Sequence, residues 1–226
     1  MATRQTLDHQ SRPGLHAQKK QRDRLIRLAE THPDWALGFA DEVWWSRVAQ
    51  PNLHRWADAD HELRLIDKTV AKTDPDPKAL AGYGVLLPHP DSALSQLLLW
   101  FAAGQPVSDL TIQFLSWCCD QLAAQGKRAL LLVWENASRH TSAAVRHWLR
   151  AHHQRMKRDG VGVRVVACRL PTKSPWLNPI EPHWVHGKRA VLEPERVLSA
   201  AELEARVYAY YHCNPEPQLR ISEKVT

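Results

Sequence analysis

Arg128-Ala-Leu-Leu-Leu-Val-Trp-Glu135-Asn136-Ala-Ser-Arg139-His140 decides how this chain is read. Residues 129–134 form an unbroken apolar run, as expected of a central strand covered on both faces. The run stops at a carboxylate, Glu135. Ionised groups are costly to remove from water, so an acid at the edge of a buried element is expected to hold something positive. Two further acids interrupt apolar sequence. One lies in Phe39-Ala-Asp41-Glu42-Val-Trp-Trp45, the other in Leu170-Pro-Thr-Lys173-Ser174-Pro-Trp176-Leu-Asn178-Pro-Ile-Glu181-Pro-His183-Trp184.

Upstream, Leu37, Phe39, Asp41, Val43 and Trp45 share one side of a period-two run, and Glu42 and Trp44 share the other. Asp41 therefore keeps company with the bulky apolar residues. Asp41 and Glu42 cannot serve one metal site together without distortion. Residues 81–87 and 94–102 read as two more strands joined by a Pro88-His-Pro-Asp-Ser turn, giving an antiparallel meander of three. Residues 58–79, broken by Asp74-Pro-Asp-Pro77, read as a connecting loop. Residues 1–32 read as a basic leader, helical from about residue 16 to 30 and able to meet DNA phosphates there.

Downstream of the meander, residues 108–125 take a helical period, with Leu110, Phe114, Leu115, Cys118 and Leu122 on one stripe and Gly126 as its stop. After Glu135, Thr141 or Ser142 caps a second helix that buries Val145, Trp148, Leu149, His152 and Met156 and ends at Gly160. Residues 163–168 form another strand. Pro179 and Pro182 place Glu181 near a helix start. Ser199 and Glu202 form a capping box, with Leu198 and Leu203 as a hydrophobic staple, for a last helix running to about residue 212. The final dozen residues carry no strong pattern. This order suits an α/β protein: a mixed sheet with helices on both faces.

A chain of 226 residues carries one good core, or one domain plus an extension. A net charge of +6 points weakly to a polyanionic partner. Cys118, Cys119, Cys168 and Cys213 match no zinc spacing and read as reduced thiols, placing the protein in the cytoplasm. Residues 1–24 are polar and basic, unlike a signal peptide, and no apolar run reaches the ~18–20 residues of a membrane span. His183 and His186 share a presumed helix but lack a third well-placed ligand for zinc.

The order Asp41, then Glu135-Asn136-Ala137 at a strand end, then Ser174-Pro-Trp-Leu-Asn178-Pro-Ile-Glu181 resembles the DDE transposases of bacterial insertion sequences. These belong to the mariner-like superfamily, in its "six-thirty" branch. The resemblance spans residues 33–211, and the segment 174–181 is its most specific part. It implies a ribonuclease-H-like catalytic domain over residues 33–212, with a leader at 1–32 and a tail at 213–226. It also implies that Asp41, Glu135 and Glu181 are the catalytic residues and hold two Mg²⁺ (or Mn²⁺) ions, with Asp41 bridging both. Lys173, Lys188 and Arg189 would grip DNA phosphates. Asn136, His140 and Asn178 would support the site. Trp176 and Trp184 are open to base stacking or to core packing. The implied partner is double-stranded DNA, at element ends and target, with a homodimer assembled on it and no membrane. The implied location is the bacterial nucleoid.

The chemistry agrees with such a site. Phosphodiester cleavage needs an activated water and stabilisation of charge on the leaving oxygen, which two metal ions about 4 Å apart supply. Mg²⁺ prefers carboxylate oxygens and water. The chain departs from the family pattern at two positions: Glu135 stands where Asp is usual, and Arg139 where an aromatic residue is frequent. No two-helix recognition unit precedes Trp35, as expected of a catalytic part alone from a truncated or split reading frame. The alternative reading is therefore a catalytically impaired or repurposed DNA-binding remnant. A carboxylate-pair glycosidase is the remaining rival, and it would need no Mg²⁺.

Overall fold

The computed structural model describes residues 15–50, 68–88, 95–171 and 174–221. Its elements run α1 (Leu15–Thr31), β1 (Trp35–Ser46), β2 (Ala79–Leu87), β3 (Gln96–Ala102), α2 (Ser108–Ala124), β4 (Ala129–Trp134), α3 (Ala143–Asp159) and β5 (Arg164–Arg169). A single 3-10 turn (Pro175–Leu177), α4 (Ile180–Ala190) and α5 (Ala200–Tyr211) complete the chain. One five-stranded sheet has the order β3-β2-β1-β4-β5. The first three strands pair antiparallel, while β1 with β4 and β4 with β5 pair parallel. This is the mixed sheet expected from the sequence. The turn proposed at Pro88 lies largely outside the described residues, as does the first part, 58–67, of the loop at 58–79.

Two cores follow from the apolar run in β4. Leu130, Leu132 and Trp134 face one side and pack with Leu110, Phe114 and Leu115 of α2 and Val145 of α3. Leu131 and Val133 face the other and pack with Phe39, Val43, Ile180, Trp184, Leu203 and Val207. A strand covered on both faces has no use for polar alternation, which is why β4 shows none.

Local signals act where they stand. Ser142 Oγ accepts from the backbone N–H of Val145 at 3.2 Å and caps α3, and Gly160 ends it at φ 71°. The Ser199–Glu202 capping box starts α5.

Two segments are more integrated than charge or pattern suggested. The basic leader helix, α1, buries Leu25 in the second core and packs Ile26, Leu28 and Ala29 against it. Its lysines and arginines drew the reading toward DNA phosphates, while its apolar stripe decides its position. The C-terminal segment, read as a patternless tail, pairs Leu219 with Ala102 as an isolated parallel bridge and buries the leucine. A single buried residue leaves no periodic trace. All four cysteines are free. Among the described residues no helix is long and apolar enough to cross a membrane.

Candidate active site

Sheet register brings the first two acids together. Phe39 lies beside Val133 in the parallel pairing of β1 with β4, and both face the second core. Asp41 and Glu135 stand two residues farther along each chain. Period two keeps each on its predecessor's face, and neighbouring strands lie roughly 4.8 Å apart. The third acid arrives from α4. Glu181 occupies its first turn, where a negative charge also suits the helix dipole.

The segment before α4 is fastened to the sheet next to Asp41. Asn178 is 3% exposed, and its Nδ2 donates to the carbonyl of Ala40 at 3.0 Å. Its backbone carbonyl accepts from Glu181 N–H at 3.2 Å. The Arg22 guanidinium donates to the Leu177 carbonyl at 3.2 Å, so α1 braces the same segment. Ile180 and Trp184 are buried in the second core, and Trp184 Nε1 donates to Asp41 Oδ2 at 3.1 Å. The proline-rich motif thus works as an anchor that presents Glu181 toward Asp41.

Asp41, Glu135 and Glu181 line one cavity of about 230 Å³, together with Asn136, Ser174 and Asn178. Burial, then the charges of Glu181, Glu42 and Glu135, push the Asp41 carboxyl up to about 7. Burial, then Glu135, raises that of Glu181. Asn178 Oδ1 is buried with no hydrogen-bond partner among the described residues. Mutually repelling carboxylates beside an unanswered amide oxygen form a donor set of hard oxygens. That set fits Mg²⁺ or Mn²⁺. A larger groove, of about 960 Å³, opens at the far end of β4 and β5, but Asp34 is its one carboxylate. Size and chemistry disagree, and the chemistry decides.

Glu42 takes the opposite face from Asp41, as its place in the strand requires. It does not face water: its side chain is 4% exposed. Arg139 donates through Nε to Glu42 Oε1 at 2.8 Å and through Nη2 to Oε2 at 2.7 Å. His140 Nε2 meets Oε1 at 2.7 Å. Burial opposes ionisation of Glu42, but the bonds from Arg139 and His140 outweigh it and hold the carboxyl at about 2. Glu42, Glu135 and His140 offer ligand atoms close enough to share a cation. Both Glu42 oxygens are already engaged, however, and Arg139 Nη2 also binds Glu135 Oε1 at 2.8 Å. The cation of that cluster is Arg139 itself.

The remaining sequence candidates separate. His140 is buried, stacks on Trp134 at 4.5 Å, and places Nδ1 3.1 Å from the carbonyl oxygen of Glu135. Burial is outweighed by the contact with Glu42, and the imidazole pKa is raised. Asn136 is exposed on the cavity rim. Lys188 and Arg189 are exposed in the last turn of α4. Lys173 lies outside the described residues. Trp184 packs in the core, whereas Trp176 is 59% exposed. Sequence reasoning missed the Glu42–Arg139 pair and the Trp184–Asp41 bond. Neither left a local signal, because the partners lie 97 and 143 residues apart.

The family model of DDE superfamily endonucleases matches residues 103–204. No curated protein matches the chain by sequence. The fold is similar to the Mos1 strand transfer complex, at 14% identity and TM-score 0.57, over 95% of this chain and 58% of that one. The Mos1 transposase paired-end complex with left transposon end gives 14% and 0.57, over 95% and 59%. The Mos1 mariner paired end complex with Mn gives 14% and 0.57, over 94% and 59%. The chain spans about three fifths of the length of these proteins. At such identity the likeness establishes the fold, which is ribonuclease-H-like.

Proposed function

We propose that the chain is the catalytic domain of a DDE transposase of the bacterial "six-thirty" branch. It cuts and joins double-stranded DNA with two divalent metal ions. The observation that carries this reading is the convergence of Asp41, Glu135 and Glu181, from three separate elements, on one cavity at the sheet edge. The match to DDE endonucleases and the motif at 174–181 support it.

Asp41, Glu135 and Glu181 would hold the ions, and bound metal supplies Lewis acidity toward the phosphate under attack. Trp184 fixes one oxygen of Asp41. Asn178 holds the segment carrying Glu181 against β1. Lys188 and Arg189, roughly 10 Å along α4 from Glu181, would seat the DNA backbone, with Lys173 beside the motif. Reaction first by water and then by the freed 3′-hydroxyl needs no covalent enzyme intermediate. Joining two element ends calls for a homodimer on DNA, acting at the bacterial nucleoid.

The test is Mn²⁺- or Mg²⁺-dependent nicking of supercoiled plasmid by the purified chain. Nicking should vanish with chelator and fall at least ~100-fold in Asp41→Asn and Glu181→Gln, since a misplaced reacting group costs that order of rate. Undiminished nicking in either variant would remove the assignment. A silent parent that still binds DNA would favour the repurposed remnant.

A further inference from the structure

We propose that Glu42 and Arg139 are positioning residues that clamp Glu135 in the acidic cavity, an inference that rests on reading that cavity as the metal centre. Glu135 sits just beyond the end of β4, with its side chain 46% exposed. Its carboxylate stands one rotatable bond farther from the backbone than an aspartate would. Left to itself, it would wander. Arg139, four residues on, joins it to Glu42 with one planar guanidinium, and a lysine has no such fork. Glu42 also acts on Glu135 by a second route. His140 bridges the Glu42 carboxylate to the Glu135 carbonyl oxygen and is held flat against Trp134. One buried carboxylate thereby governs both the side chain and the main chain of Glu135.

The arrangement leaves a defined remainder. Glu135 Oε1 is committed to Arg139. Oε2 accepts no hydrogen bond among the described residues, and Glu135 lines the cavity. The two positions at which the chain departs from the family pattern, 135 and 139, are in direct contact. A longer acid and a basic residue that tethers it form a matched pair, where a shorter acid would reach the cavity untethered.

A double-mutant cycle tests this, using Glu135→Asp, Arg139→Tyr and the combination, with Arg139→Lys as a milder variant that keeps the charge. Two readouts are used: Mn²⁺ affinity by calorimetry without DNA, and Mn²⁺-dependent plasmid nicking. Arg139→Tyr should weaken Mn²⁺ binding about 10-fold or more and cut nicking about 100-fold, while Arg139→Lys should lie between it and the parent. Glu135→Asp alone should also lose, and the double variant should recover to within about 10-fold of the parent. Independent losses that simply multiply in the double variant would overturn the clamp. So would unchanged Mn²⁺ affinity in both Arg139 variants while Asp41→Asn abolishes binding, a result that leaves the metal centre standing. No Mn²⁺ binding by the parent would remove the metal centre and the clamp together.

Discussion

Gly84 stands directly opposite Asp41 in the antiparallel pairing of β1 with β2. A Cβ there would fall 2.6 Å from Trp184 Cζ2, closer still to Cη2, and 3.3 Å from the Ile180 side chain. The missing side chain is what lets the indole lie over the strand and reach Asp41. Gly84→Ala should therefore destabilise the protein by about 1–3 kcal/mol, the usual cost of overpacking a tight core. It should also lower nicking, because Trp184 can no longer hold Asp41. Urea denaturation and plasmid nicking check this, and an unchanged midpoint with full activity would show that the indole has room to move. None of this was legible at residue 84, which reads as one glycine in an apolar strand. The carboxylates were legible, because acids that interrupt apolar runs stand out against the cost of burying them.

At the scale of elements, α5 shows how a local signal predicts a measurable property. Ser199 Oγ accepts from Glu202 N–H at 3.2 Å, and Glu202 Oε2 accepts from Ser199 N–H at 2.8 Å. Ser199→Ala should cost about 1 kcal/mol in urea denaturation. Arg196, then the Ser199 backbone and side chain, hold the Glu202 carboxyl at about 2. A carboxyl depressed in the folded state adds stability above its ordinary value, near 4.5, and loses it as pH falls through about 2. The parent should therefore lose more stability than Glu202→Gln between about pH 4.5 and 2. Parallel acid titrations of the two proteins would refute the assignment. Both the capping box and the staple were readable in sequence because all their partners lie within a few residues. The docking of α1 was not, because the surface that accepts Leu25 is assembled from the distant β1, β4 and β5.

At the scale of the molecule, a net charge of +6 coexists with a cavity lined by three acids. If the proposed function holds, the basic surface would have to bring DNA to a centre that otherwise repels it. Duplex binding should accordingly weaken steeply between 50 and 200 mM salt, by about 0.9 in log-log slope for each phosphate contacted. Lys188→Glu with Arg189→Glu should flatten that slope by about 1–2 in fluorescence anisotropy. A slope that both proteins share would place the DNA elsewhere. By itself the sequence determined the mixed sheet, the element order and the three acids, because strand burial, caps and apolar interruptions are written in short runs. Only the tertiary structure decided who holds whom. Glu42 meets Arg139 across 97 residues, Asn178 meets Ala40 across 138, and Trp184 meets Asp41 across 143. Contacts of that separation depend on sheet register and helix docking, which no local stretch encodes.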